Sequence, residues 1–373
     1  MKEYIVIGAG ILGASTAYHL AKAGASVVVV DRNDLGQATD AAAGIVCPWL
    51  SQRRNKAWYR LVKAGARYYT SLHEQLHADG QTETGYERVG AISLHTDEKK
   101  LDQMEKRAYQ RREDAPEIGE ITRLSAAETR ALVPALAEEY QSIHISGGAR
   151  VNGRALRNAL VSAAKKHGAT FLQGEARLTS TQSKVTGIEV DGKHLTASEV
   201  IVTAGAWASE LFKPLGIGFD VSPQKAQIVH LRLPDIDTSQ WPVVMPPNNQ
   251  YLLTYDDGRI VVGATHEDEA GFDCRVTMGG VHEIFHKALM VAPQLETSTV
   301  LEVRVGFRPF TPGFLPIIGR IPQMDGLLTA NGLGASGLTS GPFLGAELAK
   351  LALGQGTGLP LEDYDVRHAL VDM

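Results

Sequence analysis

At 373 residues, 44% hydrophobic and 21% charged, the chain has the make-up of a globular protein with room for roughly two or three domain-sized bodies. A formal charge of −5 excludes a nucleic-acid binder, which needs a concentrated basic face to neutralise phosphates. The two cysteines, Cys47 and Cys274, lie far apart without metal-ligand spacing, so they read as reduced thiols of a cytoplasmic protein that holds no metal.

The chain opens on an apolar stretch that carries Lys2 and Glu3 and is interrupted by glycine from Gly8 onward, so it does not read as a signal peptide. Residues 4–7, Tyr-Ile-Val-Ile, predict a buried strand. The turn Gly8-Ala9-Gly10-Ile11-Leu12-Gly13 follows, then a helical pattern over residues 11–22 closed by Gly24, then a second apolar strand over 27–30 that ends at Asp31. This is a complete βαβ unit with the chemistry of dinucleotide binding. Gly8 allows the tight turn, Gly10 lets backbone approach a pyrophosphate, and Gly13 permits close helix–strand packing. The helix N-terminus offers free N–H groups and partial positive charge to phosphates, and Asp31 is placed to accept from ribose hydroxyls.

Residues 38–46 are small and apolar, suited to lie against a flat ligand. Residues 57–77 predict an amphipathic helix, 86–96 a strand, 97–114 a solvated charged helix, and Ser125 with Glu128 a capping box. A second α/β rhythm begins near residue 150: a helix over 152–166, then strands over 170–172, 185–190 and 199–202, ending in Thr203-Ala204-Gly205-Ala206-Trp207. Strands over 228–233, 250–254 and 259–263, with a hairpin turn at Asp256-Asp257-Gly258, predict an antiparallel sheet. A strand over 326–330 then leads to a second glycine-rich turn and a helix. No apolar run of about 18 residues predicts a transmembrane helix, which leaves peripheral contact with the inner face of a membrane open. Dinucleotide-type features at both ends favour a flavin lying across a discontinuous domain.

In this order the motifs resemble the D-amino-acid oxidase superfamily of FAD-dependent oxidoreductases, on the glycine oxidase and bacterial D-amino-acid dehydrogenase branch. The carriers are Gly8-x-Gly10-x-x-Gly13, Ala41-Ala42-Ala43-Gly44, Thr203 to Trp207, Arg259 to Thr265, Gly306-x-Arg308-Pro309, and Asn331-Gly332-x-Gly334 leading to Gly337. The resemblance implies an α/β fold: a Rossmann-type FAD-binding domain from residues 1–85, 145–222 and 304–373, and an α+β substrate domain on an antiparallel sheet from 86–144 and 223–303. It implies that Ile11, Leu12, Asp31 and Arg32 contact the adenosine and pyrophosphate, and that Arg177 adds a contact near the adenine. Ala43, Gly44 and Ile45 would lie along the flavin, with Ala204, Gly205 and Trp207 also at the cofactor. Leu333, Gly334, Ala335, Ser336, Gly337, Leu338 and Thr339 would hold the ring at its N1–C2 end, where helix N–H groups face the charge of the reduced flavin.

A guanidinium grips a carboxylate through two parallel hydrogen bonds, and Arg308 stands at the family's carboxylate-binding position, with Tyr251 at the substrate-facing tyrosine. The implied reaction is hydride transfer from Cα of a small amino acid, a D-amino acid foremost, to flavin N5. The imine formed hydrolyses to a keto acid and ammonia, and oxygen or a quinone reoxidises the cofactor. No acid–base residue is needed, so catalysis rests on orientation. The same anchor suits glycine, a secondary amine such as sarcosine, or a 2-hydroxy acid; a flavin-binding electron-transfer subunit without a substrate is the alternative from another class. His266 and Asp268 follow the strand over 259–263 and suit a loop role, while Trp49, Gln52, Arg53 and Arg54 suit a loop near the pocket. Two departures matter. Ala335 stands where glycine oxidases can carry a substrate-contacting arginine, and no cysteine lies near Gly306 to attach a flavin, so FAD is expected to be noncovalent.

Overall fold

Residues 2–322 and 324–372 are described by the computed structural model. The strand Glu3–Ile7 runs down the middle of a six-stranded sheet whose spatial order is Ile317–Arg320, Leu327–Asn331, Glu199–Val202, Glu3–Ile7, Ser26–Asp31 and Thr170–Gln173. Its pairings with Glu199–Val202 and Ser26–Asp31 are parallel; Ile317–Arg320 is the antiparallel edge. Both faces of the central strand are covered, which explains its unbroken apolar run. Tyr4 and Val6 point into a core shared with the helices Ile11–Lys22, Gly153–Lys166 and Gly337–Ala352, while Ile5 and Ile7 point the other way. There they meet the antiparallel meander Ala176–Thr181, Lys184–Val190 and Lys193–Thr196.

A second sheet has eight strands in the order Thr299–Phe310, Ser222–Arg232, Ile260–Gly263, Tyr251–Thr254, Val243–Met245, Ala91–His95, Gln141–Ile145 and Ile121–Leu124. It is antiparallel except where Val243–Met245 runs parallel to Ala91–His95. The helix Met278–Val291 buries Ile284, Ala288 and Val291 against Val229, Leu231 and Val262 of this sheet. The helix Glu98–Arg112 buries only Leu101, Met104 and Ala108, which join the same core as Tyr4 and Val6, and leaves its charged face in water.

The observed helix Lys56–Ala78 matches the expected one and is capped by Asn55, whose side chain accepts from the Trp58 N–H. The Ser125–Glu128 capping box is present. The single strand expected over 86–96 is instead two, Tyr86–Arg88 and Ala91–His95, which join different sheets because the chain turns at Gly90. Two further elements were not among those expected. Thr299–Phe310 alternates Leu301, Val303, Val305 and Phe307 with Glu302, Arg304, Gly306 and Arg308, the pattern of a half-buried strand, and Met278–Val291 opens on Gly279-Gly280, which disfavour a helix.

Three helix ends are tied together by one carboxylate. Asp79, the C-cap of Lys56–Ala78, accepts from the Tyr18 hydroxyl (2.7 Å), from Lys22 (3.1 Å) and from His167 (2.9 Å). Burial opposes its ionisation, but these three donors win and hold its pKa down at about 2. A depressed folded-state pKa gives stability that is complete above the unfolded value, near 3.8, and lost as pH falls through about 2. Asp79→Asn is therefore expected to lower stability at pH 7 by about 1–2 kcal/mol. In chemical denaturation the gap from the parent should close as the pH is taken down through about 2.

Candidate active site

At the C-terminal ends of the parallel strands Glu3–Ile7, Ser26–Asp31, Glu199–Val202 and Leu327–Asn331 the chain turns, and these turns border one elongated cavity of about 580 Å³. At one end lies the Gly8 turn, with Gly8 at φ +101°. A Cβ on Gly13 would stand 1.9 Å from the Gly8 carbonyl oxygen and 2.5 Å from Thr203 Oγ1, so the helix can approach the turn this closely only with glycine there. Asp31 is fixed beside it: Oδ2 accepts from the Ala9 N–H (2.5 Å), and Oδ1 from the Asn33 N–H (2.6 Å) and Gln37 Nε2 (2.9 Å). Thr39 Oγ1 accepts from the Ile11 N–H at 3.0 Å.

The cavity's middle is held from behind. The buried Tyr255 hydroxyl donates to the Ala43 carbonyl at 2.6 Å, and the Thr339 hydroxyl donates to the Ile45 carbonyl at 2.9 Å. Opposite, Asn331 Nδ2 donates to the Gly205 carbonyl (2.9 Å) while its Oδ1 accepts from the Gly332 N–H (2.7 Å), locking two of the bordering turns together. The helix Gly337–Ala352 starts at this wall with no side chain capping its first N–H groups.

Arg308 and Tyr251 come from the antiparallel sheet and line the same cavity with Ala226, Ile228 and Ala335. Arg308 Nη1 donates to Gln224 Oε1 (2.8 Å) and to the Thr265 carbonyl (3.4 Å). Burial lowers the Arg308 pKa, with Tyr251 and Asp268 pulling it back up. The Tyr251 hydroxyl is pushed up to about 12 by burial against the opposing pull of Arg308, so it stays protonated and can donate a hydrogen bond at neutral pH.

Of the residues singled out for cofactor and substrate, all line this cavity except Gly13, which packs under the turn, and Ser336, whose Oγ accepts from Trp58 Nε1 at 3.0 Å. Trp49, Gln52, Arg53 and Arg54 do not line it. Trp49 is buried with its carbonyl accepting from Arg111 (2.5 Å), and the Arg53 guanidinium lies 4.7 Å from the Trp58 ring centre. His266 and Asp268 lie outside the lining, and Asp268 sits behind Gln224, accepting from its Nε2 at 2.7 Å. Sequence reasoning missed Thr39, Tyr255 and Gln224. Thr39 was within reach, as the one hydroxyl in the small apolar stretch over 38–46. Tyr255 read as the residue before a hairpin turn, and Gln224 carried no local signal.

The donor set suits FAD. A helix N-terminus and an oriented carboxylate mark the phosphate and ribose end, a wall of small residues over 41–44 suits a flat ring, and an uncapped second helix faces that ring's position. The lining contains no cysteine: Cys47 is buried elsewhere and Cys274 is exposed. Among the described residues no group of three or more His, Cys, Asp or Glu could hold a metal ion, and no helix is long and apolar enough to cross a membrane.

Comparison with known proteins points the same way. The family described as FAD dependent oxidoreductase (DAO) matches residues 3–351. An uncharacterised oxidoreductase of Bacillus subtilis, YurR, is 66% identical over 99% of this chain and 100% of its own length. The glycine oxidase of Pseudomonas putida is 30% identical over 91% of this chain and 92% of its own. The crystal structure of iminodiacetate oxidase from Chelativorans sp. BNC1 superposes with a TM-score of 0.94 at 48% identity, covering 97% of this chain and 98% of that one. Two outcomes are expected for the cofactor. Acid precipitation of the purified protein should release all of its flavin into the supernatant, as read by absorbance. Gly13→Val, which forces a side chain into the Gly8 turn, should yield protein without flavin absorbance.

Proposed function

We propose that this chain, which belongs to the DAO family of FAD-dependent oxidoreductases, oxidises the Cα–N bond of a small amino or imino acid whose carboxylate is held by Arg308. The observation that carries this reading is the guanidinium of Arg308 in the wall of the FAD-suited cavity, hydrogen-bonded by neutral acceptors alone. A cation held this way keeps its charge for an anionic ligand, and its planar fork fits a carboxylate. The Tyr251 hydroxyl, protonated beside it, can donate to the same carboxylate. Bound FAD would supply the two-electron acceptor for the substrate's hydride. Among the described lining residues there is no histidine or lysine, and carboxylates such as Asp31 and Glu210 belong to the dinucleotide end. The substrate amine must then arrive neutral, and the chain's own contribution is orientation. In this reading residues 1–85, 145–222 and 304–373 carry the cofactor, while 86–144 and 223–303 enclose the substrate.

Among acceptable substrates we favour an N-substituted glycine over the D-amino acid that heads the sequence-based expectation. Support comes from the iminodiacetate oxidase, which shares more of this sequence than the glycine oxidase does, and from Ala335, a small uncharged residue in the cavity wall. Anaerobic bleaching of the flavin by iminodiacetate, sarcosine, glycine, D-alanine and L-alanine decides the order, and admitting air distinguishes oxygen from a quinone as the acceptor. Iminodiacetate or sarcosine should bleach fastest; D-alanine ahead of both would replace this preference with the D-amino acid. Arg308→Ala should raise KM about a hundredfold with FAD still bound, from the loss of charge-assisted hydrogen bonds to the carboxylate. Unchanged kinetics would remove the anchor role.

A further inference from the structure

We infer that Gln224 and Asp268 form a polar relay that fixes the aim of Arg308 while keeping a full negative charge one residue away from it. The inference rests on Arg308 being the carboxylate anchor. Gln224 and Arg308 are register partners on adjacent antiparallel strands, so their side chains leave the same face side by side. Arg308 can only donate and an ionised Asp268 can only accept. An amide placed between them has one orientation that satisfies both: Oε1 toward Arg308 at 2.8 Å and Nε2 toward Asp268 at 2.7 Å. Asp268 thereby selects which end of the Gln224 amide faces Arg308. Gln224 is 8% exposed, so water is a poor substitute partner for either end.

Asp268 is itself held in place. The loop that carries it pairs with the strand Ser222–Arg232 through Lys225 N–H to the Glu267 carbonyl (3.1 Å) and Glu267 N–H to the Lys225 carbonyl (3.0 Å). The fully buried Lys225 ammonium reaches Glu267 (3.5 Å) on one side of Asp268 and Asp273 (3.3 Å) on the other. A carboxylate at position 224 would pair directly with Arg308 and compete with the substrate's own carboxylate. The amide spacer avoids that competition, so Arg308 is oriented without being neutralised. Asp268 is a positioning residue that acts through Gln224, and the chemistry it serves is recognition of a small carboxylate.

Moving the charge tests this. The exchange variant Gln224→Glu with Asp268→Asn keeps the number of heavy atoms, the total charge and one hydrogen bond at each link, reversing the second so that position 268 donates, and shifts the negative charge next to Arg308. On the FAD-loaded enzyme, acetate affinity by calorimetry and KM for the best substrate of the panel are measured alongside retained flavin. The exchange should weaken acetate and raise KM by about a hundredfold each, with kcat changed by less than about threefold, since the loss falls on carboxylate binding. Asp268→Asn alone introduces no new charge and lets the Gln224 amide turn over; it should shift both quantities about fivefold, the scale of one hydrogen bond. If Arg308→Ala weakens acetate but both other variants match the parent, the relay is overturned and the anchor stands. If the exchange protein does not accumulate, an unchanged Asp268→Asn suffices to overturn it. If Arg308→Ala leaves acetate binding unchanged, the anchor reading fails first.

Discussion

The missing side chain at Gly13 is the constraint on which the rest of the site depends. It lets the helix Ile11–Lys22 press onto the Gly8 turn, and the Thr203 hydroxyl closes the same spot by donating to the carbonyls of Ile7 (2.9 Å) and Gly8 (3.0 Å). The residue directly after the strand Glu199–Val202 thus sets the first phosphate-type turn, and from there the linkage continues outward. The turn after that strand is held by Asn331, and the segment after Asn331 becomes the uncapped helix Gly337–Ala352, which ties back to Ile45 through Thr339. Chain segments some 300 residues apart form one rim because each turn is hydrogen-bonded to the next. Any side chain at Gly13 must displace either the turn or Thr203, and both displacements propagate around the cavity.

The cavity is electrostatically graded by different means at its two ends. At the dinucleotide end the positive character comes from backbone N–H groups at a helix start, and a carboxylate, Asp31, is held rigid by three donors. At the far end the positive character comes from a side-chain cation, Arg308, whose desolvation is offset by the dipoles of an amide and a peptide carbonyl. Neutral acceptors compensate burial without cancelling charge. A direct ion pair would compensate it more strongly and leave less attraction for a ligand. Neutral acceptors thus stabilise the buried guanidinium less than an ion pair would and leave its charge uncancelled.

The dinucleotide end was legible in the sequence because every requirement there is local. Strand, turn, helix and acidic residue follow one another within 31 residues, each with its own pattern. Arg308 and Tyr251 needed the family resemblance, and only the three-dimensional arrangement shows what touches them. Gln224 stands 84 residues from Arg308, and its importance follows from cross-strand register, which no local pattern encodes. Tyr255 is similar: it reads as a strand end, yet its hydroxyl reaches Ala43, 212 residues away. The strand Thr299–Phe310, by contrast, was legible but not among the expected strands: Leu301, Val303, Val305 and Phe307 alternate with Glu302, Arg304, Gly306 and Arg308, the period-two pattern of a half-buried strand.

The loop after Ile260–Gly263 explains why a buried lysine is placed one residue from the partner of Arg308. The strand Ser222–Arg232 extends beyond the end of its neighbour Ile260–Gly263, which would leave its edge with unpaired backbone groups. Residues 265–267 take over that edge, with Thr265 N–H donating to the Gln227 carbonyl (3.2 Å) and the reciprocal pair between Lys225 and Glu267. Successive side chains of a strand leave opposite faces, so Gln224 and Lys225 grip this loop from two sides. Losing Lys225 would leave Glu267 and Asp273 near each other without their shared cation, a larger penalty than losing a surface pair. The interactions that complete the sheet edge also hold Asp268 behind Gln224. Edge pairing and the support of Arg308 are therefore one mechanical unit: the loop cannot leave the strand without releasing the amide hydrogen-bonded to Arg308.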